Sequence, residues 1–507
     1  MAVPSYTDNG DIAAPATSPL ESALAIVRTS GDNALNLLAR VFSRPGKLLA
    51  AQGNTIIHGW IVRPAGKGDG NSYTETGNEK IDEVLVSVYR APKSYTGENG
   101  ADISCHGGIA TVRAIMETLK TAGFRDALPG EFTFRAFMHG KLDLTRSESV
   151  MELVSAKTEK AREHAVSRLE GKLEKEIQAV KDGLVTVLAS AELFLDYSED
   201  EAYAGGGVSD EEAGCLPERL LLEDSLDRLR SLSRSYHRER LYQEGALTVI
   251  AGRPNAGKSS LFNLLLGEDR AIVSSIPGTT RDWIEAWVSI EDIPIRLVDT
   301  AGLRDPLDII ENIGIERSRA LLEKADLILY LIEGTEGFTV EDRAFLQKFS
   351  HTQAEIKFPA DNRLDIPAQS SSPLIVLWNK ADLSPLPRME VEFTIQEISA
   401  RTGQGLEGLV SAIAAVLEDG SGAAAIQDRW SGQSAGSSSP GTVRQKDLID
   451  QSIRVLEESL GLADSGGSLD IITPLIRDAV NYLGEITGEV SPADILEAMF
   501  SRFCIGK

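Results

Sequence analysis

Cysteine is scarce in this chain of 507 residues: Cys105, Cys215 and Cys504 are an odd number, widely scattered. No C-x-x-C pair occurs and no histidine lies at zinc-ligand spacing, which excludes a disulfide scaffold and a cysteine-rich metal fold. A reduced, cytoplasmic setting is expected. Apolar runs are short as well. None approaches the ~18 residues of a membrane span, and MAVPSYTDNGDIAAP lacks the basic start and apolar stretch of a signal peptide. Positive charge is also in deficit, with 51 Lys and Arg against 76 Asp and Glu, a net charge of −25. A chain this acidic lacks the overall footprint of a protein that grips nucleic acid unaided, so such a substrate needs a basic patch or a partner.

What is present is ordinary globular material, 42% apolar and 25% charged, long enough at ~150 residues per domain for about three domains. Residues 1–141 read as an α+β segment, in which ALAIVRTSG, NTIIHGWIV and DEVLVSVYRAP precede the helical GGIATVRAIMETLK. Residues 142–244 turn helical, with Leu173, Ile177, Val180, Leu184 and Leu188 three or four apart. Residues 245–418 alternate apolar strands with helices, the rhythm of a doubly wound, mostly parallel sheet. Within them HTQAEIKFPADNRLDIPAQSS reads as a polar insertion loop. A Gly/Ser/Ala-rich linker follows at 419–441, then more helices at 442–507. Ser491, Pro492 and Asp494 form an N-cap signal for the last of them. Each helical stretch has one apolar stripe to cover, which points to one helical domain built from both, with the α/β domain inserted between.

The chemistry concentrates in four motifs. Gly252-Arg-Pro-Asn-Ala-Gly257-Lys258-Ser259 follows the strand Leu247 to Ala251 and precedes a helix starting near Ser260, the context a phosphate-binding loop requires. Its backbone amides close around phosphates, Lys258 supplies a point charge, and the Ser259 hydroxyl is a Mg²⁺ ligand. Asp299-Thr300-Ala301-Gly302 ends the strand Ile295 to Val298, putting a carboxylate near the Mg²⁺ shell and a glycine amide near a γ-phosphate. Asn379-Lys380-Ala381-Asp382 follows the strand Leu374 to Trp378. An aspartate there accepts from the N1–H and exocyclic amine of guanine, a donor pair that adenine lacks. Ser399-Ala400-Arg401, after Phe393 to Ile398, offers an amide to the guanine carbonyl. The segment Ser274, Ser275, Ile276, Pro277, Gly278, Thr279, Thr280 adds Thr280 as a second Mg²⁺ hydroxyl. With Asn255, Ala256 and Ser260 these make up the expected nucleotide-contacting set. Leu303 stands where Ras-like enzymes carry the water-orienting glutamine.

GRPNAGKSSLFN, the GTTRD switch, DTAGLR followed by EN-IGIERS, and NKAD resemble the MnmE (TrmE) family of tRNA-modification GTPases. APKSYTGENGADISCHGG, LPGEFTFRAFMHGKLDL and the terminal Cys504-Ile-Gly-Lys507 extend the resemblance over almost the whole chain. It implies a K⁺-stimulated GTPase in which Glu311 positions water and Asn255, Ser274, Ile276 and Thr279 hold K⁺, with Glu311, Lys258 and Thr280 as the catalytic set. It implies a homodimer formed through a tetrahydrofolate-binding N-terminal domain, with Arg28, Glu98, Lys141 and Lys507 at the folate (a 5-formyl- or methylene-tetrahydrofolate). It further implies work on carbon five of the tRNA wobble uridine, in a heterotetramer or larger complex with the FAD protein MnmG (GidA). Glu21 replaces an arginine usual in the family, which bears on the shape of the folate pocket, and His139 stands where an asparagine is common. Cys105-His106 invites a metal or nucleophile reading, but neighbours on a strand face opposite ways, so strand structure is expected. The alternatives are an Era- or Der-like ribosome-assembly switch, whose basic RNA module or second GTPase domain is not visible, and a dynamin-like GTPase, which the acidic balance opposes.

Overall fold

The computed structural model describes residues 6, 10–63, 78–204, 218–267, 270, 284–299, 320–349, 354–357, 363–366, 373–387, 390–391, 395–419, 439–489 and 493–506. It divides into two compact units. The first comprises 1–151, 168–226 and 451–507, the second 152–167 and 227–450.

In the first unit β1 (Ile12–Pro15), β2 (Ser22–Ser30), β3 (Thr55–Arg63), β4 (Glu79–Tyr89), β5 (Gly100–Gly107) and β6 (Arg125–Asp126) form one sheet. Its order is β3-β4-β5-β2-β1-β6, antiparallel except between β1 and β6. Period-two alternation decides which face is covered: Val84, Val86 and Val88 of β4 are buried with Ile103 of β5, while Glu83 and Leu85 face out. The helix Ile109–Ala122 covers the apolar face with Ile115 and Leu119.

The helices Lys172–Ala204 and Leu469–Thr487 pack on each other within the same unit. Leu173, Ile177, Val180, Leu184 and Val187 are buried on the first, Ile472, Ile476, Leu483 and Ile486 on the second. Neither stripe could be covered without a partner helix, and burying each such side chain contributes about 1.5–3 kcal/mol. Arg477 pairs with Glu192 and Lys181 with Glu489 at the margins, exposed contacts of small worth. The last helix, Ala493–Phe500, carries the chain back to the N-terminal part. Phe500 packs edge-on to Phe134 at 5.3 Å, with Phe503 at 5.2 Å and Tyr6 at 6.5 Å. Gly130 (φ +67°) allows the approach, since a side chain there would lie 2.7 Å from the Phe500 carbonyl oxygen. The cap signal at Ser491-Pro492 lies outside the described residues.

The second unit holds a sheet of β7 (Ala246–Gly252), β8 (Ile284–Ile290), β9 (Ile293–Asp299), β10 (Leu327–Glu333), β13 (Leu374–Asn379) and β15 (Ile395–Glu397). The order β15-β13-β10-β7-β9-β8 is parallel apart from the β8–β9 hairpin. Every residue of β10 is buried, as a strand covered on both faces requires. One face packs on the helices Lys258–Leu266 and Leu406–Asp419, the other on Val340–Phe349. The expected insertion loop is corrected: β11 (Ala354–Lys357) and β12 (Arg363–Ile366) pair antiparallel, and β11 also pairs with β14 (Glu390–Val391). AEIK and RLDI alternate polar with apolar residues, a period-two signal hidden among loop-forming neighbours. Of the expected strand Phe393 to Ile398, Phe393 and Thr394 lie outside the described residues, β15 spans Ile395–Glu397 and Ile398 follows it.

Among the described residues no helix is long and apolar enough to cross a membrane. Phe500→Ala should destabilise the first unit by about 3–5 kcal/mol, the cost of deleting a buried ring. Urea denaturation followed by tryptophan-independent circular dichroism reads it, and an unshifted midpoint would show that the aromatic cluster does not hold the C-terminal segment.

Candidate functional site

The sheet order reverses between β7 and β10, and the crevice beyond the carboxyl ends of such strands is where α/β sheets bind ligands. The GRPNAGKS loop lies there. Gly252 (φ +145°) starts it because a side chain would meet the Leu331 carbonyl oxygen of β10 at 2.5 Å. Gly257 (φ +98°) caps the helix Lys258–Leu266, so the loop amides converge at a helix N-terminus, which favours anions. Lys258 is buried, and its ammonium donates to the carbonyls of Gly252 (2.9 Å) and Arg253 (2.8 Å) across the loop. Ser260 and Asn255 are exposed, Asn255 with φ +64°.

Three further motifs close on this loop. Ser259 Oγ donates to Asp299 Oδ2 at 2.8 Å, joining a hydroxyl and a buried carboxylate at the helix N-terminus; that hard-oxygen donor set fits Mg²⁺. Asn379 Nδ2 donates to the Ala256 carbonyl (2.7 Å) and its Oδ1 accepts from the Ala400 amide (3.0 Å). Ala381 N–H donates to Ile398 O at 3.1 Å, and the Ser399 hydroxyl accepts from Thr402 N–H at 3.2 Å. Asp382 and Arg401 are exposed at the rim of this junction. Ser274, Ser275, Ile276, Pro277, Gly278, Thr279, Thr280, Thr300, Ala301, Gly302, Leu303, Glu311 and Lys507 lie outside the described residues.

Sequence reasoning missed the groups that brace these loops. Arg253 donates to Glu336 (2.7 Å) and Asp342 (3.2 Å), and Lys380 pairs with Glu333. The Lys380 hydrogen bond holds the Glu333 carboxyl below its ordinary range. The one available signal was the acid-rich EGTEGFTVED run after a buried strand.

In the first unit Arg28 on β2 faces Asp102 on β5, donating through Nε at 2.9 Å and through a terminal nitrogen at 3.3 Å. The opposite terminal nitrogen donates to the Gly506 carbonyl at 3.3 Å, and the guanidinium lies 5.9 Å from the Tyr95 and Phe132 rings. Glu98 accepts from Arg135 (3.0 Å) and Ser30 (2.7 Å). Lys141 donates to the Pro92 carbonyl at 3.0 Å and is exposed. Asp102 and Arg135, which fix the two charged groups, were not singled out from sequence. His139 Nδ1 lies 2.7 Å from the Thr96 carbonyl, so that nitrogen carries the proton; Glu21 is exposed just before β2. Cys105 is buried, while His106 points outward and pairs with Asp82 at 2.7 Å. The two therefore face opposite ways and form no joint site. Burial, with Asp82 nearby, pushes the Cys105 thiol up to about 11.

A GxxxxGKS loop at a helix N-terminus, a Ser–Asp pair beside it and an NKAD turn tied to it by one asparagine have the arrangement of a P-loop GTPase. Residues 144–504 match the MnmE helical domain model, and residues 11–141 the model of the GTP-binding protein TrmE N-terminus. The chain is 39% identical to the tRNA modification GTPase MnmE of Treponema denticola, with all of both chains covered. It is 36% identical to that of Latilactobacillus sakei, with 99% of each covered. The Aquifex aeolicus Era structure bound to GDP and AlF4⁻ is 30% identical over 34% of this chain and 56% of its own, with a TM-score of 0.24. The chain belongs to the MnmE family of tRNA modification GTPases and is a GTP-hydrolysing enzyme.

Gly257→Ala should lower GTP turnover by about tenfold or more, because a Cβ would sit 2.2 Å from Asn379 Nδ2 on a left-handed backbone costing about 1–3 kcal/mol. Wild-type rates in that variant would remove the tie between the two loops. Alkylation at pH 8 should label exposed Cys504 and spare Cys105 until the chain unfolds, since the thiolate is the reactive form. Peptide mass spectrometry detects either outcome.

Proposed function

We propose that this GTPase is stimulated by K⁺, forms a homodimer through its N-terminal domain, and acts with the FAD protein MnmG on carbon five of the wobble uridine in tRNA. An aminomethyl or carboxymethylaminomethyl group is installed, with the one-carbon unit from a tetrahydrofolate. The observation that carries this reading is the match to tRNA modification GTPases along the whole length, N-terminal and helical parts included. The same match weighs against an Era- or Der-like assembly switch.

In this reading Ser259 and Thr280, with Asp299 behind them, hold Mg²⁺, which supplies positive charge against the phosphate oxygens. Lys258 adds a second charge and the loop amides from Asn255 to Ser260 orient the phosphates. Asp382 accepts from two guanine donors, and the Ser399-Ala400-Arg401 turn faces the base carbonyl, with the Ala400 amide, held by Asn379 Oδ1, as the donor nearest to it. Glu311 orients the attacking water, a contact of the transition state and not of the ground state. Asn255, Ser274, Ile276 and Thr279 surround K⁺, whose charge replaces an arginine finger. Arg28 and Lys141 suit a folate glutamate tail, and Glu98 a pterin amine and ring N–H. Two GTPase domains held in one dimer meet at high effective concentration, so each can brace the other's switch.

Hydrolysis should be much faster in KCl than in NaCl, and Glu311→Ala should abolish turnover while sparing nucleotide binding. Arg28→Ala should weaken 5-formyltetrahydrofolate binding in calorimetry with GTP affinity intact. Loss of the wobble modification in a deletion strain, read by nucleoside mass spectrometry, tests the whole reading; an unchanged nucleoside profile would overturn it.

A further inference from the structure

The ten residues from Glu333 to Asp342 join β10 to the helix Val340–Phe349 at the switch point of the sheet. They touch both loops of the nucleotide site. Glu333 and Asp342 are buried carboxylates, the second fully so, and a buried charge survives only when paired and hydrogen-bonded. Asp342 accepts from Tyr330 Oη (2.8 Å), Thr339 N–H (2.9 Å) and the Thr339 hydroxyl (2.8 Å), so its position is fixed before Arg253 arrives. Arg253 then forks between Asp342 and Glu336. At the other end Thr335 Oγ1 donates to Glu333 at 3.0 Å, and Gly334 N–H donates to the Asn379 carbonyl at 2.9 Å. Glu333 holds the Lys380 ammonium. Lys380 has φ +63°, a conformation uncommon for a side chain of this length and kept only where the surroundings impose it.

We infer that this acidic segment sets the distance between the phosphate loop and the base loop, with Glu333 acting through Lys380 as a specificity-determining positioning residue for guanine. The inference rests on Asp382 being the guanine reader. Lys380 lies two residues before Asp382 and is held on both sides: its neighbour Asn379 ties to Ala256 and Ala400, while Glu333 fixes its own ammonium. Releasing the ammonium loosens the turn that carries Asp382, leaving it held by the Ala381 N–H bond to the Ile398 carbonyl and the Leu383 and Ser384 N–H bonds to the Lys380 carbonyl. Arg253 acts at the other end, where it fixes the loop that cradles phosphates and has no part in reading the base.

The two ends give separable signatures. Hypoxanthine keeps the N1–H of guanine and lacks its exocyclic amine, so a displaced Asp382 loses two bonds to GDP and one to IDP. Calorimetry of the full chain with GDP and with IDP reads the difference. Glu333→Gln should weaken GDP about tenfold and IDP only about threefold, at roughly 1.4 kcal/mol per tenfold, so the GDP/IDP preference falls. Glu333→Asp should restore part of it. Arg253→Lys should weaken GDP and IDP by the same factor and leave the preference unchanged. Equal losses of GDP and IDP in Glu333→Gln, or no loss, would overturn the inference, as would an unaltered GDP affinity in Arg253→Lys. Should Glu333→Gln fail to fold, Thr335→Val removes one bond to the same carboxylate and carries the same expectation at smaller amplitude. Asp382→Asn is the control: if it leaves the GDP/IDP preference unchanged, the guanine assignment fails first, whereas a changed preference there with an unchanged one in Glu333→Gln defeats this inference alone.

Discussion

The GTPase site depends on one side-chain amide. Asn379 is almost fully buried, where a primary amide is costly unless its donor and acceptor are both used. Its donor goes to the carbonyl before Gly257 and its acceptor takes the Ala400 amide. Two loops from distant parts of the chain are thus held to the end of a third strand by bonds that no water can replace. Each of these loops leaves a parallel strand at its carboxyl end. A parallel sheet cannot close by hairpins, so its crossovers deliver every such end to one rim.

The first unit solves a related problem with charge pairs. Arg28 and Glu98 each have a fixed counter-ion, Asp102 and Arg135, at low exposure. Pairing of this kind stabilises little by net accounting and would be costly to break singly. What it supplies is orientation, with one guanidinium facing two aromatic rings and the Gly506 carbonyl. The C-terminal segment is held there by Phe500 and Phe503, which explains how a cysteine at position 504 comes to lie at the start of the helix Glu131–Met138. Gly130 N–H donates to the Cys504 carbonyl at 3.3 Å.

Much of this was legible in the sequence because the strands and glycines of a phosphate loop are local signals. The strand Leu247 to Ala251 and the helix after Gly257 lie within two residues of their expected ends. Apolar stripes in Leu173–Leu188 and in the C-terminal helices announced faces needing cover, though not which helix would cover which. The β11–β12 hairpin was hidden because four-residue strands between Pro, Asn and Gln look like loop. Arg253, Glu333, Asp342, Asp102 and Arg135 were illegible for another reason. Each acts through a partner between four and 89 residues away, and a charged residue in isolation reads as solvated surface.

That contrast separates two kinds of functional residue. Groups that touch nucleotide sit in motifs, since the ligand is small and one loop must present several contacts within a few residues. Groups that hold those loops apart at a working distance come from other strands, since rigidity is supplied by elements anchored elsewhere in the core. Asp342 illustrates the second kind: the stacked rings of Tyr330 and Phe345, 4.1 Å apart, fix the strand and helix from which it reaches Arg253. The precision of a phosphate loop therefore derives from packing on the opposite face of the sheet, where no motif marks it.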